Sequence, residues 1–275
     1  MTKKKGKMRL DLLLVEKNLI STRSKAKAEI MAGNVYVNGV KRDKPGETVL
    51  CRAEVEVRGT LNPYVSRGGL KLEKPLREFN IDLEGRIVLD IGASTGGFTH
   101  CALKQGAKKV YALDVGYGQL AWKLRREPRV INMERFNVRH LKKEDLPDTP
   151  DLAVIDVSFI SLKLVLPVVA ALGIPEIICL IKPQFEAKPV QVGKRGVVRD
   201  AAVHHAVLKG IAIAAEKLAY RVAGLTYSPL KGPRGNIEFF LYLRQKAAMG
   251  LRENGAEDLS ALIQGVVSQA HSHLG

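Results

Sequence analysis

Ile87-Val-Leu-Asp-Ile-Gly-Ala-Ser-Thr-Gly-Gly-Phe98 decides the fold. Its first five residues, apolar but for Asp90, are of strand length, and the glycines after them mark an abrupt exit into a helix near 98–105. The same unit repeats outward. Val110–Asp114, Arg129–Met133, Asp151–Asp156 and Ile177–Lys182 read as strands, with helices near 117–126, 160–172 and 200–219. Alternating strands and helices predict an α/β, doubly wound, largely parallel Rossmann-like sheet, which binds ligands at the carboxyl ends of its strands. Apolar residues make up 46 % and aromatics 5 % of the 275, enough for an aliphatic core and too apolar for a wholly disordered chain.

The loop Gly92-Ala93-Ser94-Thr95-Gly96-Gly97-Phe98 is neither G-x-G-x-x-G nor a phosphate-binding loop ending in Gly-Lys-Ser/Thr. Its glycines let backbone approach a ligand closely. The next strand ends in Asp114-Val115, where a carboxylate can hold both hydroxyls of a ribose. A glycine-rich turn plus an acidic ribose clamp looks like an S-adenosylmethionine site; the plainer reading is a generic strand-to-helix turn.

Charge divides the chain. Residues 1–75 hold 17 Lys/Arg against 8 Asp/Glu, whereas residues 76–275 hold 27 against 20, within a total of +16. A small basic module therefore precedes a larger domain, and nucleic acid is the first partner to consider. We read residues 1–60 as the module, 61–66 as linker and 67–275 as the large domain. Leu10–Ile20 reads as a helix, and Ser21–Ser24 offers a cap for a second helix running to Ala32, with Ala26, Ile30 and Met31 inward and Gly33 as its stop. Asn38-Gly39 between Val35–Val37 and Val40-Lys41 is a hairpin signal. Val49–Val57 alternates like one strand. Arg23, Lys25 and Lys27 put a basic face on the second helix, able to follow phosphates.

Cys51, Cys101 and Cys179 lie far apart without a C-x-x-C, which suits three buried thiols in a reducing compartment. No signal-peptide core or membrane-spanning run is visible, so a cytoplasmic protein with no membrane partner is expected. No metal-ligand spacing is visible either.

Two further strand ends carry unusual groups, Asp156 and Lys182. Glu238 lies among apolar neighbours in a final strand read over 232–243 and needs a cation if buried, with Lys71 a candidate. The front module resembles the small RNA-binding domain shared by a small-subunit ribosomal protein, pseudouridine synthases and tyrosyl-tRNA synthetases. Nearly the full chain resembles the TlyA family, also called haemolysin A, of the FtsJ-like superfamily. The motifs that carry this run in order: S-R-G-G-L-K-L, D-I-G-A-S-T-G-G-F-T, A-L-D-V-G-Y-G-Q-L-A-W, D-V-S-F-I-S-L, L-I-K-P-Q-F-E and S-P-L-K-G-P-R-G-N-I-E-F-F. Asn62-Pro-Tyr-Val65 departs from that family's Arg-x-Trp-Val segment.

The resemblance implies methyl transfer from S-adenosylmethionine to a ribose 2′-hydroxyl of ribosomal RNA in ribosomal subunits, on cytidine. Lys3–Arg9 and the tail from Ala247 resemble the longer family form associated with both subunits. It also implies a catalytic tetrad of Lys71, Asp156, Lys182 and Glu238. A lysine can take a hydroxyl proton only if its own pKa falls towards ~7–8, and Lys182 is read as that base. Asn137 is read at the adenine end of the cofactor and Arg67 on RNA. Phe159 lies beside the cofactor by resemblance, or in the core as a plain phenylalanine. The competing readings are a non-enzymatic ribosome-assembly factor, a membrane-active haemolysin, and a DNA or protein methyltransferase.

Overall fold

The computed structural model describes residues 6–20, 22–31, 33–58, 62–246 and 256–275. They divide into two compact units, Met1–Pro63 and Tyr64–Gly275. The readings of Ser21 as a cap and Ala32 as a helix end lie outside the described residues, as do 59–61 of the segment around the linker.

The first unit runs β1 (Lys7–Arg9), α1 (Leu10–Glu16), α2 (Arg23–Met31), β2 (Val35–Val37), β3 (Val40–Arg42), β4 (Thr48–Leu50) and β5 (Val55–Val57). Asn38 and Gly39 both take positive φ, 49° and 76°, as a two-residue hairpin between β2 and β3 requires. The expected single strand over 49–57 is two strands. β4 pairs with β1 and β5 with β2, because residues 51–53 turn the chain between two small sheets. Leu10, Leu13, Leu14, Ala26 and Ile30 bury, whereas Met31 is 71 % exposed at the end of its helix rather than inward. Cys51 is half-buried; Cys101 and Cys179 are buried.

Asp11 ties this unit together from inside. Its fully buried carboxylate accepts from Arg9 Nε and Nη2, both at 3.1 Å, and from Arg23 Nε at 3.0 Å. The Arg9 hydrogen bonds hold its pKa down at about 2 against the opposing effect of burial, with Arg23 adding to the pull. Arg23 is thus an internal brace as well as a surface cation, with 49 % of its side chain exposed.

The second unit runs α3 (Gly68–Glu78), β6 (Ile87–Ile91), α4 (Gly97–Lys104), β7 (Lys109–Asp114), α5 (Trp122–Arg125), β8 (Val130–Glu134), β9 (Leu152–Ile155), α6 (Leu162–Ala171), β10 (Glu176–Ile181), α7 (Pro183–Glu186), α8 (Ala201–Glu216), β11 (Tyr220–Tyr227), β12 (Phe239–Gln245) and α9 (Ala256–Leu274). Its seven-stranded sheet has the order β11-β12-β10-β9-β6-β7-β8. β6 to β10 are mutually parallel, and β12 runs antiparallel between β10 and β11. The chain leaves β6 towards β7 and β8 and then returns to β9. The switch point therefore lies between β6 and β9, where ligands bind in such sheets. The final strand begins at Phe239 rather than 232, since Pro233 to Gly235 form a short turn of helix. β11 and α9 were not legible; α9 buries Ile263, Val267 and Ala270 in the main core.

Asp90 is fully buried at the end of β6 with Thr99 Oγ1 donating to Oδ2 at 2.6 Å. Burial pushes its pKa up to about 7 in spite of that bond. A raised carboxyl pKa means the folded state prefers the neutral acid. Its contribution to stability is full below the unfolded pKa near 4 and is lost as pH rises towards 7. Between pH 5 and 8 the wild type should lose about 3 kcal/mol relative to Asp90→Asn, measured by urea unfolding of both proteins across that range.

Candidate active site

The glycine loop is shaped by close approaches that exclude side chains. Gly92 has φ 87°, and a β-carbon there would fall 2.6 Å from the backbone oxygen of Asp156. The ends of β6 and β9 can abut only because position 92 is glycine. Gly97 meets the start of α3 in the same way: its β-carbon would fall 2.3 Å from Ser66 Oγ and 2.9 Å from Gly68 Cα. This explains the Ser66-Arg-Gly-Gly sequence, which lets α3 reach the loop and carries Lys71 there.

Within the loop, Ala93 N–H donates to Leu113 O (3.1 Å), and the Thr95 carbonyl accepts from Ala121 N–H (3.1 Å). Ser94 takes φ 49° and its N–H donates to Asp114 Oδ2 at 2.8 Å. Gly116 N–H donates to Asp114 Oδ1 at 2.7 Å. Gly96 caps α4 with φ 91°. Phe98 turns its ring into the core 6.1 Å from Phe240, so any part it takes at the loop rests on its backbone. Val115 is exposed. Asn137 Oδ1 accepts from Arg139 N–H (3.0 Å) after β8.

Two lysine–carboxylate pairs stand at this rim. Lys182 Nζ lies 2.6 Å from Asp156 Oδ1, and Lys71 Nζ donates to Glu238 Oε2 at 2.6 Å. Both lysines are largely buried, with 10 % and 12 % of their side chains exposed, and Glu238 is fully buried. Burial raises the Glu238 pKa; Lys71 and Lys182 pull it down and Asp156 pushes it up. The four groups of the expected cluster therefore act on one another electrostatically.

Sequence reasoning missed three supports. Ser158 Oγ accepts from Lys182 Nζ at 2.9 Å. Glu186 accepts from Ser161 Oγ (2.6 Å) and Leu162 N–H (2.7 Å), tying the chain after β10 to the start of α6. Asn236 accepts from Val198 N–H (3.1 Å) and donates to Gly196 O (2.9 Å). The motifs D-V-S-F-I-S and K-P-Q-F-E were visible in the sequence, but not that their side chains bond to each other. Phe159 is 91 % exposed at φ 63°, its ring 4.9 Å from Phe185, which removes the core alternative. Arg67, Lys25 and Lys27 are exposed, Arg67 just before α3 and the two lysines on α2.

Residues 64–245 match the FtsJ-like methyltransferase family and residues 8–54 match the S4 domain. The chain belongs to the FtsJ-like methyltransferases. It is 50 % identical over its whole length to a candidate rRNA methyltransferase, YqxC of Bacillus subtilis, covering 97 % of that protein. It is 43 % identical, over 91 % of its length and 94 % of the relative's, to the 16S/23S rRNA (cytidine-2′-O)-methyltransferase TlyA of Mycobacterium tuberculosis. A solved structure from Streptococcus thermophilus, described as a candidate hemolysin, superposes with a TM-score of 0.76 at 44 % identity, covering 97 % of this chain and 96 % of that one. Among the described residues, no helix is long and apolar enough to cross a membrane and no group of three metal-ligating side chains is found.

Lys71 shields a carboxylate that burial would otherwise leave alone. Lys71→Met should therefore cost about 3–5 kcal/mol by stranding Glu238, and Lys71→Met with Glu238→Gln should cost less. Urea unfolding of the two variants checks both.

Proposed function

We propose that this protein transfers a methyl group from S-adenosylmethionine to a ribose 2′-hydroxyl of ribosomal RNA, on cytidine in small- and large-subunit rRNA. The observation that carries this is the pair of 2.6 Å lysine–carboxylate approaches at the same rim as the glycine loop. The relative from M. tuberculosis, named for this reaction, supports the choice of RNA and of atom.

The residues present fit that cofactor. Gly92 and Gly97 let the loop close against the backbone after β9 and the start of α3, where β-carbons would clash, and so hold it at the strand ends beside Asp114. Two backbone N–H groups orient the Asp114 carboxylate, and its remaining lone pairs can accept from both ribose hydroxyls. Val115, Asn137 and Phe159 would border the rest of the cofactor. When bound, S-adenosylmethionine supplies an electrophilic methyl group on a sulfonium.

In this reading Lys182 accepts the 2′-hydroxyl proton as the oxygen attacks. Asp156 and Ser158 fix the direction of its amine. Lys71, held by Glu238, presents positive charge where negative charge develops on the ribose oxygen. The remaining catalysis is alignment of the hydroxyl with the methyl group. Arg23, Lys25, Lys27 and Arg67 hold RNA phosphates and deliver the substrate. The protein then works in the cytoplasm, where ribosomes are.

Lys182→Ala should abolish methyl transfer while cofactor affinity, by calorimetry, stays within a few-fold; near-normal turnover contradicts the assignment. Asp114→Ala should raise the cofactor Kd about tenfold or more, since a hydrogen bond to a charged group contributes ~1.5–3 kcal/mol.

A further inference from the structure

Between Lys182 and α8 the chain runs through Lys188, Lys194, Arg195 and Arg199, all exposed. Opposite it, the segment before Glu238 carries Lys231 and Arg234. Among the described residues none of these six cations is in an ion pair. The carboxylates of the same segments are engaged: Glu186 with Ser161 and Leu162, Asp200 capping α8 through Ala202 N–H at 2.8 Å, and Glu238 with Lys71.

The two segments are fastened to each other. Buried Asn236 bonds both Val198 N–H and Gly196 O. Arg234, at φ 61°, donates from Nη1 to Arg195 O at 3.1 Å. The fastening reaches the tetrad, because a β-carbon on Gly232 would fall 2.0 Å from Glu238 Oε1, so the Lys231–Arg234 turn lies directly on that carboxylate. Long cationic side chains on a floppy loop would lose conformational freedom on gripping an anion; here hydrogen bonds between the segments already order the backbone.

We propose that this double-loop strap, with Lys194 and Arg195 at its tip and Lys188, Arg199, Lys231 and Arg234 beside it, is a binding site for RNA backbone phosphates on the catalytic unit itself. The inference rests on the RNA reading above. The strap grips phosphates next to the nucleotide whose ribose enters the tetrad. It contributes to affinity and register without reading base sequence.

The test uses the full-length protein and Lys194→Ala with Arg195→Ala, beside a control that removes two other exposed charges from α8 and its end, Lys209→Ala with Lys217→Ala. Affinity for a short RNA duplex is titrated against salt. Methyl transfer to ribosomal subunits from cells lacking this protein is followed in parallel, and cofactor affinity is measured by calorimetry. Each phosphate that is no longer gripped flattens the log–log salt slope by roughly 0.7–0.9, so the slope of the strap variant should be shallower by about 1.5. Its KM for subunits should rise while kcat and cofactor Kd hold, and the control should keep the wild-type slope. A strap variant with wild-type slope and KM overturns the site, as does an equal flattening in the control. A wild type that binds and methylates no ribosomal RNA overturns the RNA reading itself, and the strap with it.

Discussion

Gly92 has no room for a side chain, and the rest of the site depends on that. The backbone of the β6 exit lies against the backbone after β9, 2.6 Å from where a β-carbon would stand. This close approach puts the glycine loop and Asp156 side by side at the switch point of the sheet. Gly97 and Gly68 repeat the device one layer out and bring Lys71 to the same rim. β12, antiparallel beside β10, then delivers Glu238 next to Lys71. Three separate backbone approaches assemble charges that lie up to 167 residues apart in sequence.

Charged groups in such a place need fixed partners, because burial without them costs several kcal/mol per ion. The structure meets this with reciprocal pairs and with hydrogen bonds from flanking loops. Ser158 answers Lys182, Glu186 holds the loop that presents Asp156 and Ser158, and Asn236 holds the turn lying on Glu238. Side chains outside the tetrad therefore set its geometry. Substituting them should act through position rather than through direct touch with the reacting atoms.

Much of this was legible in the sequence, for a physical reason. The β6, β7, β9 and β10 strands are short, mainly apolar runs that end at Gly, Asp or Lys, and such punctuation survives without any tertiary knowledge. The hairpin at Asn38-Gly39 was readable because only a few residue pairs tolerate two positive φ angles. The split of 49–57 into two strands was not, since period-two alternation continues through the turn and tertiary pairing alone decides where it breaks. Met31 was misplaced because helical periodicity says nothing of where the neighbouring layer ends. Arg23 looked like a surface cation; its bond to Asp11 depends on how α1 and α2 pack. The links from Ser158, Glu186 and Asn236 join segments distant in sequence, and no local pattern announces them.

The destination of the methyl group decides whether the tetrad does this chemistry. Ribosomal subunits from cells lacking the protein, incubated with it and with S-adenosylmethionine labelled in the methyl group, can be digested to nucleosides and separated. The expected product is labelled 2′-O-methylcytidine. Label recovered on a base, on a ribosomal protein, or nowhere in the subunits would contradict ribose methylation by these residues.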